Sequence, residues 1–143
     1  SANIPGSYVP SNQQRMDLYR RIAAIRSQAD ASDLLDELMD RYGDPPKPVY
    51  ALLDVAMLRA NAARAGVSDI SQDGRQIRFV LADFSAEAIA ALVSSAKYRR
   101  RLVVNAGEVP ALTLTLLPKE PVLESALALA EDLLLAGRNG EEI

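Results

Sequence analysis

Cysteine and histidine are absent from this chain of 143 residues. Without a thiol or an imidazole it cannot present a thiolate nucleophile, an imidazole base, a Cys/His zinc site or an iron–sulfur ligand set. Glycine is scarce: the seven present form no glycine-rich turn able to cradle phosphate with backbone amides, so nucleotide-dependent chemistry lacks its usual support. A dominant charge is missing as well. Sixteen Lys and Arg stand against 19 Asp and Glu, and the formal net charge of −3 gives no overall attraction to nucleic acid or to an anionic lipid surface. No apolar run reaches the roughly 18 residues that a membrane span requires. The lack of cysteine suits a reducing, cytoplasmic setting. With 49% hydrophobic residues, a chain of this length buries about two thirds of the surface exposed when unfolded, so it needs neither disulfide nor metal to fold. These counts predict one soluble globular domain.

Punctuation and periodicity divide the chain. Residues 1–11 hold Pro5, Gly6 and Pro10 without a sustained period and read as an extended lead-in, its opening Ser-Ala-Asn having the look of residues left by a cloning vector. Ser11 or Asn12 offers a cap, and Met16, Tyr19, Ile22 and Ala23 trace a helix over roughly 12–27. A second helix is expected after Asp30 or Ser32, with Leu34, Leu35, Leu38, Met39 and Tyr42 on one face and Gly43 as its stop. Past Pro45, Pro46 and Pro48 a third helix carries Val49, Leu52, Leu53, Ala56, Ala60 and Ala63 as a stripe up to Gly66. The period then changes. Residues 67–71 and 76–82 flank Gln72-Asp73-Gly74-Arg75, a hairpin signal. Ser85 caps a helix over 86–96, strands are expected over 101–105 and 111–117, and a last helix begins at Val122 and closes at Gly137 before a polar tail, 138–143. Leu112, Leu114 and Leu116 alternate with Thr113 and Thr115, which places the leucines inward. The order is α+β: three N-terminal helices, then two hairpin-and-helix units forming a small antiparallel or mixed sheet packed by helices, with one domain over 12–137.

Three groups of side chains could carry function. Asp33, Asp36, Glu37 and Asp40 cluster on the second helix, and Asp36 and Asp40 lie one turn apart. A carboxylate pair there could serve a metal or acid–base chemistry, but Glu37 and Arg41 are spaced for a helix ion pair and the run reads as a solvated face. Arg15, Arg20, Arg21 and Arg26 follow the first helix, where they can reach a partner or bridge to the acidic second helix. Lys97, Arg99, Arg100 and Arg101 place four cations in five residues around Tyr98. That cluster could dock an acidic protein surface, could complement a helix C-terminus, or could contact nucleic acid with Tyr98 stacking on a base.

The segments Ile4-Pro5-x-x-Tyr8-Val9-Pro10, Arg15-Met16-x-x-Tyr19-Arg20-Arg21-Ile22 and Glu37-Leu38-x-Asp40-Arg41-Tyr42-Gly43-x-x-Pro46 occur in an order and spacing similar to the C-terminal domain of bacterial transcription-repair coupling factors, the translocases called Mfd. Val49-x-x-Leu52-Leu53, Leu58-Arg59 and Ala62-x-x-Ala65-Gly66-Val67-x-x-Ile70 continue the likeness, which beyond Asp73 rests on the order of elements. Tyr42 departs from the pattern: phenylalanine is commoner there, and tyrosine keeps the ring while adding a hydroxyl. The motif residues Tyr19, Asp40, Arg41, Tyr42, Gly43 and Pro46 are understood as structural: an aromatic anchor and a glycine that lets the chain turn into the proline-rich segment.

The resemblance implies a regulatory module with no catalytic, cofactor or metal site of its own. In that family the ATP-driven motor and the segment that holds RNA polymerase lie upstream. The terminal domain packs on an N-terminal UvrB-like module and hides the surface that UvrA binds, until the factor engages a stalled RNA polymerase on DNA. Arg15, Arg20, Arg21, Lys97, Arg99, Arg100 and Arg101 are the candidate contact residues. The alternative is a small nucleic-acid-contacting module that uses the cluster at 97–101.

Overall fold

Three of the five helices among the described residues open on a serine whose hydroxyl accepts a backbone N–H from the first turn. The computed structural model describes residues 2–141, with side chains through Gly137, and the chain divides into two units, Ser1–Ala60 and Asn61–Ile143.

In the first unit, α1 is Asn12–Ala23, capped by Ser11, and α2 is Gln28–Tyr42, capped by Ser27. Both boundaries differ from the sequence expectation for one reason. Ser27 is extended, its hydroxyl accepts from the Asp30 N–H, and the Asp30 carboxylate accepts from the Arg26 N–H at 2.9 Å. This nearly reciprocal cap starts α2 before either expected residue and leaves no room for α1 to reach residue 27. The buried stripe of the first segment is Leu18, Ile22 and Ile25, spaced one turn apart, so Met16, expected inside, is 48% exposed. On α2 the core positions are Ala31, Leu34 and Leu38, and Met39 is likewise exposed. The lead-in is anchored, not merely extended: Tyr8 and Val9 N–H groups both donate to the Pro5 carbonyl, and Ile4 and Val9 are buried. Ser1 lies outside the described residues.

Helix α3, Lys47–Arg64, contains the boundary between the units. Within the first unit it buries Val49, Leu53, Ala56, Met57 and Ala60. Ala63, expected on the same stripe, is exposed.

The second unit is a four-stranded antiparallel sheet with two helices. Its strands are β1 (Val67–Asp73), β2 (Gln76–Leu81), β3 (Leu102–Asn105) and β4 (Ala111–Thr115), in the order β1-β2-β4-β3. Each hairpin is followed by a helix, α4 (Ala86–Ser94) and α5 (Val122–Glu141), as expected of the paired units. Asp73 still pairs with Gln76, so the hairpin loop is Gly74-Arg75, one place later than the Asp-Gly signal suggested. Ile77 faces Leu114 and Phe79 faces Leu112 across the central strands, and Leu102 faces Leu114 from the other side. All are nearly fully buried, Phe79 completely, a burial worth about 2 to 3 kcal/mol for that ring. Thr115 and Arg78 point to the opposite face and are exposed, which is the alternation read from the leucines. Helices α4 and α5 pack on one another, and Ala88, Ile89 and Leu92 of α4 and Ala126 and Leu129 of α5 are buried. Helix α5 does not close at Gly137. It continues through the expected polar tail to Glu141, because a glycine inside a helix costs only about 1 kcal/mol and blocks nothing; residues 142 and 143 lie outside the described residues. No helix among the described residues is long and apolar enough to cross a membrane.

Gly66 turns the chain from α3 into β1 at a φ of 86°, and its carbonyl accepts the Ala82 and Asp83 N–H groups at 2.8 and 3.1 Å. A Cβ on Gly66 would lie 1.8 Å from the Asp83 carbonyl oxygen, whereas one on Gly43, also at φ 86°, would meet nothing within 4 Å. Gly66→Ala is therefore expected to lower stability by roughly 2 to 4 kcal/mol in urea unfolding, and Gly43→Ala by about 1 to 2 kcal/mol. Equal losses at the two positions would contradict this account of the turn.

Candidate interaction surface

The motif residues of the first unit converge on the C-terminal turn of α2, where the last carbonyls have no partner inside the helix. The Tyr8 hydroxyl donates to the Gly43 carbonyl at 2.8 Å, with the Leu38 carbonyl 3.2 Å away. Its ring lies 5.6 Å from that of Tyr42, tilted by 55°. Burial first, then the nearby Tyr50, Asp44 and Tyr42, hold the Tyr8 phenol above its ordinary pKa, so it remains a donor through neutral pH. The Tyr19 hydroxyl accepts the Ile4 N–H at 2.8 Å. The hydroxyl that distinguishes Tyr42 from phenylalanine donates to the Gln14 side-chain oxygen at 2.9 Å, joining α2 to α1.

The arginines of α1 have different surroundings. Arg15 folds back on the lead-in and donates to the carbonyls of Val9 (2.7 Å) and Pro10 (3.1 Å) and to Asn12. Arg20 pairs with Asp17 on its own helix at 2.9 Å, with side chains 72% and 60% exposed. Arg21 makes a two-pronged contact with Glu37, whose carboxylate is also 3.5 Å from Arg41. The intramolecular bridge to the acidic helix is thus formed by Arg21. Arg26 lies beyond α1 and donates to the Ala23 and Ile25 carbonyls. Arg41 also sits 5.1 Å from the centre of the Tyr42 ring. Arg20, Arg21 and Arg41, with Asp17, Gln14, Leu18 and Tyr42, line an open cavity of about 510 Å³. Hydrogen bonding from Arg21, then the charges of Arg21 and Arg41, hold the Glu37 carboxyl below the usual glutamate range. Asp33, Asp36 and Asp40 are exposed, and among the described residues no group of acidic side chains is placed to hold a metal ion.

In the second unit, the cluster at 97–101 forms the turn between α4 and β3, not the end of a helix, since α4 stops at Ser94. Tyr98 is only 3% exposed and its hydroxyl donates to Asp132, so it offers no face for stacking on a base. Burial, then the bond to Asp132, pushes its phenol well above the ordinary range. Lys97 pairs with Asp132 at 2.7 Å, and Arg101 pairs with Glu120, both side chains of that second pair being mostly buried. Arg99 and Arg100 are exposed and, among the described residues, without an ion pair. Beside this turn, α4 and α5 border an open, mainly apolar groove of about 490 Å³ lined by Ala88, Ala91, Leu92, Tyr98, Leu135 and Ala136, among others. Sequence reasoning had not paired Asp132 or Glu120 with the cluster, because each lies far along the chain from its cation.

Two outcomes follow from this geometry. Tyr8→Phe leaves the Gly43 carbonyl without its donor and is expected to cost about 1 kcal/mol, against about 0.5 kcal/mol or less for Tyr42→Phe at its exposed bond, both by urea unfolding. A lowered folded-state pKa means that Glu37 adds stability above the ordinary carboxylate range and loses it as pH falls through that lowered value. The gap in urea midpoint between the parent chain and Glu37→Gln should accordingly be wider at about pH 7 than at about pH 3; a gap independent of pH would count against the ion pair.

A family model for the TRCF domain matches residues 1–92. The transcription-repair-coupling factor of Staphylococcus epidermidis is 32% identical over 88 residues, 62% of this chain and 8% of that protein. That of Mycobacterium tuberculosis is 39% identical over 70 residues, 49% of this chain and 6% of that protein. The Escherichia coli factor is 32% identical over 78 residues, 53% of this chain and 7% of that protein. The chain therefore spans less than a tenth of the length of these relatives. The crystal structure of a C-terminal domain of transcription-repair coupling factor shares its fold: the TM-score is 0.78 at 19% identity, covering 96% of this chain and 89% of that one. The matched region holds every one of the tyrosine, arginine and glycine motifs gathered around the end of α2, and the chain belongs to the TRCF domain family.

Proposed function

We propose that this chain is a non-enzymatic regulatory module of a transcription-repair coupling factor, working in the cytoplasm by intramolecular masking. In this reading it covers the UvrA-binding surface of the parent's N-terminal UvrB-like module. It lets go when the factor, through its other domains, engages a stalled RNA polymerase on DNA. Membership of the family and the small share of its relatives that the chain spans support a module of a longer protein.

The observation that carries the masking role is the state of the arginines around the cavity in the first unit. Arg20, Arg21 and Arg41 are between 47% and 72% exposed; Arg20 and Arg41 are held by carboxylates of their own helices, and Arg21 by Glu37 of the neighbouring helix. Exposed pairs of this kind are worth only about 0 to 1 kcal/mol each, so carboxylates of a partner can replace them at little cost. The exchange suits an interface that must close and reopen: a polar contact of moderate size is reversible, where a large apolar one is not.

The test is capture of UvrA by the full-length parent protein, by the same protein without these residues, and by an Arg20→Glu, Arg21→Glu double variant. Deletion is expected to raise UvrA capture, and the double variant to raise it towards the same level while circular dichroism stays native. Unchanged capture on deletion would remove the masking role.

A further inference from the structure

Three segments meet at one end of the sheet of the second unit. The Arg75 guanidinium, in the loop between β1 and β2, donates to the carbonyls of Leu117 and Glu120, and the Glu120 carboxylate accepts from Arg101 and from the Leu117 N–H. The Thr115 N–H donates to the Arg101 carbonyl at 2.9 Å, which sets the end of β4 beside the start of β3. These bonds draw Arg75, Lys119, Arg99 and Arg100 onto one rim, and Arg78 follows two places along β2 from Gln76. All five cations are exposed, and among the described residues none has an ion pair. The carboxylate inside these segments, Glu120, is taken by Arg101; those that adjoin them in sequence, Asp73 and Glu124, are outnumbered.

Two of these cations sit on an unusual backbone. Arg100 and Lys119 have φ of 70° and 67°, the left-handed region that glycine fills with less strain, and among the described residues no other non-glycine residue does so. The sheet face beside the rim is polar and uncharged around its arginine. Ser71 and Thr113 flank Arg78, and Thr115 stands beside Gln76, on the side opposite Ile77, Leu112 and Leu114. Tyr98, the aromatic residue among the cations, is buried. Leu117 and Val103 are the exposed apolar residues at this end, too few to form the packed centre on which a protein interface depends.

We infer that this rim binds the phosphodiester backbone of a nucleic-acid duplex without reading its sequence. Charge decides the occupant. Against an acidic protein, exposed ion pairs contribute little unless packing accompanies them. A duplex differs, because it carries condensed counterions and each phosphate neutralised by Arg or Lys releases them, so charge alone yields affinity. The guanidinium fork matches phosphate oxygens, and neutral hydroxyls and amides such as those around Arg78 are their other usual donors. A single strand would lack the exposed ring on which its bases stack. The net charge of −3 confines the attraction to this rim and makes it depend on salt. This inference does not rest on the masking role.

Fluorescence anisotropy of labelled DNA and RNA duplexes, titrated with the 143-residue chain, tests it. Binding at about 50 mM salt is expected to weaken roughly a hundredfold by about 200 mM, the dependence that about four phosphate contacts produce. Binding to either duplex supports the inference, since both present the same backbone chemistry, and the tighter arm identifies the source. Arg100→Gly and Lys119→Gly suit the left-handed backbone, so they should leave the urea midpoint in place. Combined with Arg99→Gln they should lower affinity about tenfold or more and take about 2 to 3 from the slope of log K against log salt. Arg78→Gln, on the exposed sheet face, is a second variant with the same direction and a smaller effect. Arg64→Gln, at the opposite end of β1, should change neither affinity nor slope. Absence of binding at low salt overturns the inference, as does a slope that the triple variant leaves intact or tighter binding to a single strand. Tighter binding to polyglutamate than to either duplex overturns it in favour of an acidic protein surface.

Discussion

Just past the end of α2 the Gly43 carbonyl lies beyond the helix's own N–H groups, and the first unit is arranged around the phenol that reaches it. Tyr8 has to lie beside Gly43 for its hydroxyl to donate, so the lead-in cannot run free; Arg15 holds its far end through the Val9 and Pro10 carbonyls, and Tyr19 holds its start through the Ile4 N–H. With no histidine or cysteine available, these ties are made by tyrosine and arginine, whose long side chains bury an apolar stem while a polar tip meets the backbone. The family motifs are thus largely a description of how one helix end is satisfied. Their recurrence is explained by folding, without assigning chemistry to Asp40 or Arg41.

Charge is used differently in the two units. Around the cavity of the first unit the ion pairs are exposed and shared, Glu37 answering to both Arg21 and Arg41. In the second unit Arg101 and Glu120 are mostly buried together, and Asp132 takes both Lys97 and the Tyr98 hydroxyl. Breaking a buried pair leaves an uncompensated charge and is costly, whereas an exposed pair exchanges partners almost freely. Arg20 and Arg21 can for that reason exchange ion-pair partners more freely than Arg101. Arg99 and Arg100 keep their charge at the surface, just before the start of β3.

Much of the fold was readable along the chain. The stripe of α3, the stop at Gly66 and the alternation of Leu112, Leu114 and Leu116 are local periodicities, and local periodicity is what a helix or strand imposes on its own residues. Errors fell where two local signals competed. Ser27 displaced Asp30 and Ser32 as the cap because Asp30 serves the same turn from inside, and the methionines at 16 and 39 lie at the margin of their stripes, where hydrophobicity alone does not say which neighbour covers them.

What the sequence determined by itself is the order of elements, the α+β class, the family motifs and the exclusion of thiol and imidazole chemistry, since each depends on residue identity and on spacings of a few residues. The tertiary structure alone decided which charges are free. Tyr98 looked like a surface aromatic among cations until Asp132, 34 residues further on, arrived beside it, and Arg101 looked available until Glu120 closed on it. Ion pairs and burial depend on which elements become neighbours, and that is set by packing across the whole unit, beyond the reach of any local pattern.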